Sequence, residues 1–150
     1  MKRGVCLFVI FFLLFGLLSC DREYTAYSTL IELLSDYGTR GRVYSFSLPE
    51  GDDGRMTAEL YYKLYPEATK LPSDFAVMLN THPDFGAECG IFICRSADER
   101  ASVTELSISR LRLLDPTGDY RLLVRSGNAV FYSTLRERSL AERLIYSLIG

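Results

Sequence analysis

The chain alternates between two kinds of hydrophobic spacing, and the points where it switches mark its elements. Tyr24, Tyr27, Leu30, Ile31 and Leu34 fall on one face of a helix, and Gly38 suits its C-terminal stop. Residues 43–48 alternate instead, with Tyr44, Phe46 and Leu48 on one side, which predicts a strand. Glu50-Gly51-Asp52-Asp53-Gly54 is a turn, and a short helix over 56–65 is stopped by Pro66. A strand over 75–79, a loop through Thr81-His82-Pro83-Asp84 and a second strand over 89–94 follow. The second strand is apolar on both faces, the pattern of a central strand. Ser96 and Glu99 have the spacing of a capping box, and the helix they open runs to about residue 114, before Pro116. Segments 120–125 and 129–134 flank Ser126-Gly127-Asn128, a hairpin signal. A last helix starts near Ser139, with Glu142 at capping-box spacing and Leu140, Leu144, Ile145 and Leu148 as its apolar face.

Strand, strand, helix thus occurs twice after an N-terminal helix. This order predicts an α+β fold: an antiparallel sheet with helices on one face, possessing two strand-strand-helix units and preceded by that helix.

One stretch stands apart from these elements. Lys2 and Arg3 precede an apolar run over 5–18, broken only by Gly16, and Ser19-Cys20 closes it. A charged start, an apolar middle and a small residue at the end are the marks of a secretory signal peptide. The run of about 14 residues is short for a membrane span, which needs roughly 20. A retained span and an ordinary signal peptide are the competing readings. Removing residues 1–19 leaves residues 20–150, 131 residues, enough for a single domain. Lys2 and Arg3 leave with the signal, so 15 of the 17 basic residues face 19 acidic ones, a net charge of −4. The basic residues are scattered, so nothing in the charge pattern points to nucleic acid.

Cysteine usage narrows the chemistry. Cys6 lies within the signal, which leaves Cys89 and Cys94 once Cys20 is set aside. Five residues apart on a strand, their side chains point to opposite faces roughly 16 Å apart. A disulfide needs Cα atoms within about 7 Å, so the two do not pair. The same geometry argues against a zinc site built from them with His82, the only histidine. A Cys89–His82 nucleophilic pair requires hydrogen-bond contact. Cys89 shares its strand face with Ile91 and Ile93, which favours a buried, inert thiol. No cofactor is expected.

Arg110 is the candidate that packing explains least. On a helical wheel it falls at the centre of the face made by Val103, Leu106, Leu113 and Leu114. An unpaired buried guanidinium is very costly. Three readings are open: its head reaches water along a packed stem, it pairs with an acid such as Glu88, or it anchors an anionic ligand or a partner's carboxylate. Tyr61, Tyr62 and Tyr65, with Tyr37 and Tyr44, offer rings with polar edges that suit either an interface or a core. Helical spacing sends Tyr61 and Leu64 inward and leaves Tyr62 and Tyr65 outward as binding candidates. Asp52-Asp53 and Asp98-Glu99 are adjacent pairs whose side chains diverge, as in solvated turns and caps.

Two resemblances add to this. Leu17, Ser19 and Cys20 match the lipobox of bacterial lipoprotein signals, which implies cleavage before Cys20 and a diacylglycerol on its thiol; Asp21 resembles a signal for retention at the inner membrane. Val77-Met78-Leu79-Asn80, Cys89-Gly90-Ile91-Phe92-Ile93, Ala97-Asp98-Glu99, Arg110 and Gly127-Asn128-Ala129-Val130-Phe131 resemble a family of small bacterial lipoproteins known only as a domain of unknown function. That family supplies no activity to carry over. The resulting expectation is a lipoprotein held by Cys20 on the extracytoplasmic side of the cell membrane. It would act as a non-enzymatic binding or assembly module with an envelope protein as partner. The alternatives are a small-ligand binder or sensor using Arg110 and a thiol enzyme using Cys89. With so little chain between Cys20 and the first helix, the domain must sit against the membrane or lean on a neighbour there.

Overall fold

A computed structural model of the chain describes residues 24–35, 41–81 and 88–136, together with Glu142 and Tyr146. The signal segment with Cys20, residues Tyr37 and Gly38, His82 and the apolar face of the last helix lie outside the described residues.

Five antiparallel strands form one sheet: β1 (Gly41–Ser45), β2 (Asp74–Asn80), β3 (Glu88–Ile93), β4 (Leu122–Ser126) and β5 (Ala129–Ser133), in the spatial order β1-β2-β3-β5-β4. Two hairpins, β2-β3 and β4-β5, lie side by side through their inner strands β3 and β5, with Ile91 opposite Phe131. β3 is the central strand, and a helix layer packs on each of its faces, as its uninterrupted apolar run requires. The fold is α+β.

Both faces of the sheet carry a helix layer, where the order of elements predicted helices on one face, because the N-terminal helix packs on the side opposite the other two. Helix α1 (Ala26–Ser35) covers one, burying Ala26, Leu30, Leu33 and Leu34 against Ala76, Met78, Cys89, Ile91 and Phe131. Helices α2 (Ala58–Leu64) and α3 (Ala97–Leu114) cover the other, over Phe75, Val77, Phe92, Val130 and Tyr132. On this second side Phe75 and Phe92, paired across β2 and β3, stack with ring centroids 4.3 Å apart. Tyr61 and Tyr65 meet Phe75 edge-on at 5.7 and 5.6 Å. Each such pair adds about 0.5–1.5 kcal/mol beyond the area it buries.

Local chemistry sets the boundaries. The first amide of α1, that of Ala26, donates to Asp74 Oδ2 at 2.6 Å, so a carboxylate from β2 caps the helix and fixes it to the sheet. The buried face of α1 is rotated from the one expected: Ala26 and Leu33 are inside, while Tyr24 and Ile31 are exposed. Strand β1 ends at Ser45, short of the expected residue 48. Its amide donates to Gly54 O and its carbonyl accepts from Met56 N–H, so the chain leaves the ladder to close the loop over 46–55. Thr57 caps α2 and Ser96 caps α3, each hydroxyl accepting from the amide three residues on. Among the described residues no helix is long and apolar enough to cross a membrane.

Candidate functional site

The site grows from the packing of α3. Its buried stripe is Glu99, Val103, Ser107 and Leu111, with Thr104 beside it, rather than the leucine face expected from the wheel. Ser107 and Thr104 return their hydroxyls to the carbonyls of Val103 and Arg100, both at 2.7 Å, so these small polar side chains arrive at the sheet already satisfied. This turns Leu113 out to solvent, 67% exposed, and places Arg110 on the flank of the buried stripe.

From that flank Arg110 reaches Glu88 at the start of β3. Nε donates to Glu88 Oε1 at 2.8 Å and Nη2 to Oε2 at 2.6 Å, a two-point charge-assisted pair. Nη1 donates to Leu64 O, the last residue of α2, at 3.2 Å. The side chains of Arg110 and Glu88 are 13% and 2% exposed. Of the three readings of Arg110, the structure realises the pairing with Glu88.

Two tyrosines complete the network. Tyr132, on β5, donates its hydroxyl to Glu88 Oε1 at 2.9 Å, and its oxygen is hydrogen-bonded to the hydroxyl of Tyr65. Tyr65 therefore points inward, against the expectation that it faces out. It is the C-cap of α2, where φ of −127° takes the chain off the helical path and the wheel no longer applies. The ring of Tyr132 lies over Gly90, its cross-strand partner; a Cβ there would stand 2.6 Å from the ring, so glycine is what admits the tyrosine. Tyr62 is exposed at the surface, as expected.

Charge and burial act together here. Burial alone would lower the Arg110 pKa, but the hydrogen bonds and charge of Glu88 more than offset it and hold the guanidinium above its ordinary value. Burial, and then the charge of Glu88, pushes Tyr65 well above the usual phenol range; burial does the same to Tyr132, with Tyr65 and Glu88 adding to it. Both hydroxyls stay protonated and act as hydrogen-bond donors. Backbone contacts lock the frame: Thr134 N–H donates to Glu88 O at 2.9 Å, joining β3 to the end of β5.

Above this network lies a cleft of about 270 Å³ between the end of α2 and the second half of α3. Leu64, Tyr65, Pro66, Leu106 and Leu113 make up most of its lining, and Glu67, Ser109 and Arg110 add the polar part. A broader depression of about 460 Å³ runs along the start of α3, with Arg100, Glu105 and Arg125 around it. Its arginine Arg100 is engaged with Gly127 O at 2.5 Å.

The thiols lie on opposite faces, Cys89 under α1 and Cys94 on the side of α2 and α3. Both are free and buried. Burial, then the neighbouring Glu88 charge, pushes Cys89 far above the thiol range; burial, then Glu99, raises Cys94 to about 11. Neither forms thiolate at neutral pH to a useful extent. Glu99 and Tyr132, neither of them among the expected binding residues, also tie elements of the fold together. Glu99 accepts from Ser73 N–H at 2.5 Å, Ser73 Oγ at 2.9 Å and Arg95 N–H at 2.8 Å, clamping the chain before β2 to the start of α3. Tyr132 joins Glu88 to Tyr65. Only the second half of the capping-box pattern hints at Glu99, and it binds a different amide from the one that motif supplies.

Comparison of the chain with protein-family models, with curated proteins and with solved structures gives no match.

Proposed function

We propose that this protein is a lipid-anchored module of the cell envelope that binds a partner protein through the cleft beside Arg110. Cys20 carries the anchor, on the extracytoplasmic side of the membrane, and the domain over 20–150 carries the contact. The observation that supports the binding role is the cleft itself. Its lining is mainly apolar, its arginine is already paired with Glu88, and its lining residue Leu113 is exposed. A volume of about 270 Å³ falls below the roughly 300–1,000 Å³ of pockets that enclose whole small molecules, and suits one or two side chains inserted by a partner. Buried apolar anchors of this kind carry most of the energy of protein interfaces.

A photo-crosslinking residue at Leu113 tests this in intact cells, with the same group at Ser102 as control. One envelope protein captured from position 113 and not from 102 supports the reading; equal capture from both positions contradicts it.

A second reading, a small-ligand binder using Arg110, is favoured by the presence of that residue in the cleft lining. It predicts that an anionic ligand raises the melting temperature of the wild type and not of Arg110→Lys, where the planar two-point geometry is lost. Thiol catalysis at Cys89 has the least support, because the sulfur is buried and protonated.

A further inference from the structure

Two apolar residues at the N-terminal edge of the domain are left uncovered. Tyr24, just ahead of α1, is 68% exposed, and Ile31 within it is 39% exposed, although the same helix buries four other residues completely or nearly so. Within α1 Tyr27 and Ile31, four residues apart, share the flank beside the buried face, and Tyr24 precedes that helix. Tyr27 packs partly on the core beneath α1. That flank is thus held in a fixed orientation by Tyr27, while Ile31 and the preceding Tyr24 face outward.

We infer that this flank of α1 lies on the lipid surface, with Tyr24 and Ile31 at the level of the headgroups; the inference rests on the anchoring of Cys20 proposed above. Tyr24 is four residues from Cys20, and an extended chain spans at most about 3.6 Å per residue. The Cα of Tyr24 therefore cannot stand more than about 14 Å from that of the anchored residue, whatever path residues 21–23 take. A ring with an apolar body and a polar tip is the side chain favoured at that depth. Ile31, about two helical turns further, needs α1 to lie along the surface rather than stand upright on it. The helix carries Glu32 and no basic residue, so the contact draws on apolar burial and not on anionic lipid. Because α1 and the cleft are on opposite faces of the sheet, this placement turns Leu113 and the cleft away from the bilayer, toward a partner.

The chain contains no tryptophan, so single substitutions report without background. Full-length protein, lipidated in cells and purified, is placed in phosphatidylethanolamine–phosphatidylglycerol vesicles as Tyr24→Trp, Ile31→Trp and Leu113→Trp, each checked for native circular dichroism. Bromine-labelled lipid is expected to quench the first two several-fold more than the third, unchanged by added salt. Equal quenching at all three positions in acylated, vesicle-bound protein overturns the inference and leaves the anchor standing. Emission at positions 24 and 31 that is blue-shifted but indifferent to brominated lipid also overturns it, by showing a protein covering instead. An intact mass without acyl chains on Cys20 overturns the anchor, and this inference with it.

Discussion

Glu88 and Arg110, twenty-two residues apart on a strand and a helix, meet through two parallel hydrogen bonds of 2.8 and 2.6 Å inside the domain. Their pairing ties α3 to the sheet, and the third contact of Arg110, with Leu64 O, ties in α2 as well. Removing one partner strands the other's charge in a low-dielectric setting, which typically costs 3–5 kcal/mol. Arg110 keeps some contact with water, so Arg110→Met is expected to cost about 3 kcal/mol and Glu88→Leu a similar amount. The double variant is expected to lose less than the sum, with a coupling of about 2–3 kcal/mol in urea unfolding. Strict additivity would show that the pair is not a structural unit.

Tyr61 presents the opposite case. Its ring is fully buried among Phe46, Tyr65 and Phe75, yet its hydroxyl has no hydrogen-bond partner among the described residues. A buried unpaired hydroxyl costs about 1–3 kcal/mol. Tyr61→Phe is therefore expected to be neutral or to stabilise the domain by about 1 kcal/mol in thermal or urea unfolding. A loss of stability would mean that the hydroxyl is bonded.

The Glu99 clamp makes a prediction about acid. Burial opposes ionisation of this carboxyl, but the amides of Arg95 and Ser73 and the Ser73 hydroxyl prevail and hold its pKa below the ordinary 4.5. A carboxyl depressed on folding stabilises the native state above its unfolded pKa, and that contribution disappears as pH falls through the lower folded value. Glu99→Gln is accordingly expected to weaken the domain by about 2 kcal/mol at pH 7, the scale of charged hydrogen bonds. Its stability should fall less between pH 5 and pH 3 than that of the wild type. Parallel curves for the two proteins over that window would assign the acid response elsewhere.

Cys89 and Cys94 are expected to resist alkylation in the native domain and to react together once urea unfolds it, in protein with Cys6 and Cys20 replaced. Rapid native labelling of Cys89 would restore thiol chemistry as a reading.

Much of this architecture was legible from spacing alone. Alternation and two-sided apolarity located β3 at the centre, and Ser96 marked the start of α3 to the residue. The buried stripes of α1 and α3 were less legible. Ala26, Thr104 and Ser107 face the sheet because small side chains let a helix approach closely, and a wheel that counts only large apolar residues turns toward Leu113 and Ile31 instead. Glu88 as partner of Arg110 was within reach, since a buried guanidinium demands an acid. Tyr65 and Tyr132 were not, because one sits where a helix unwinds and the other arrives from a strand more than sixty residues away. Such long-range convergence has no local signal.

The reading of this protein as a membrane-held binding module stands most directly on Cys20. Intact-mass spectrometry of the mature protein extracted from membranes, beside Cys20→Ala, measures that residue's state. The account predicts a chain starting at Cys20 and carrying acyl groups, and loss of both the acyl mass and membrane retention in the variant. A wild-type chain that keeps residues 1–19, or that begins elsewhere without lipid, would contradict it.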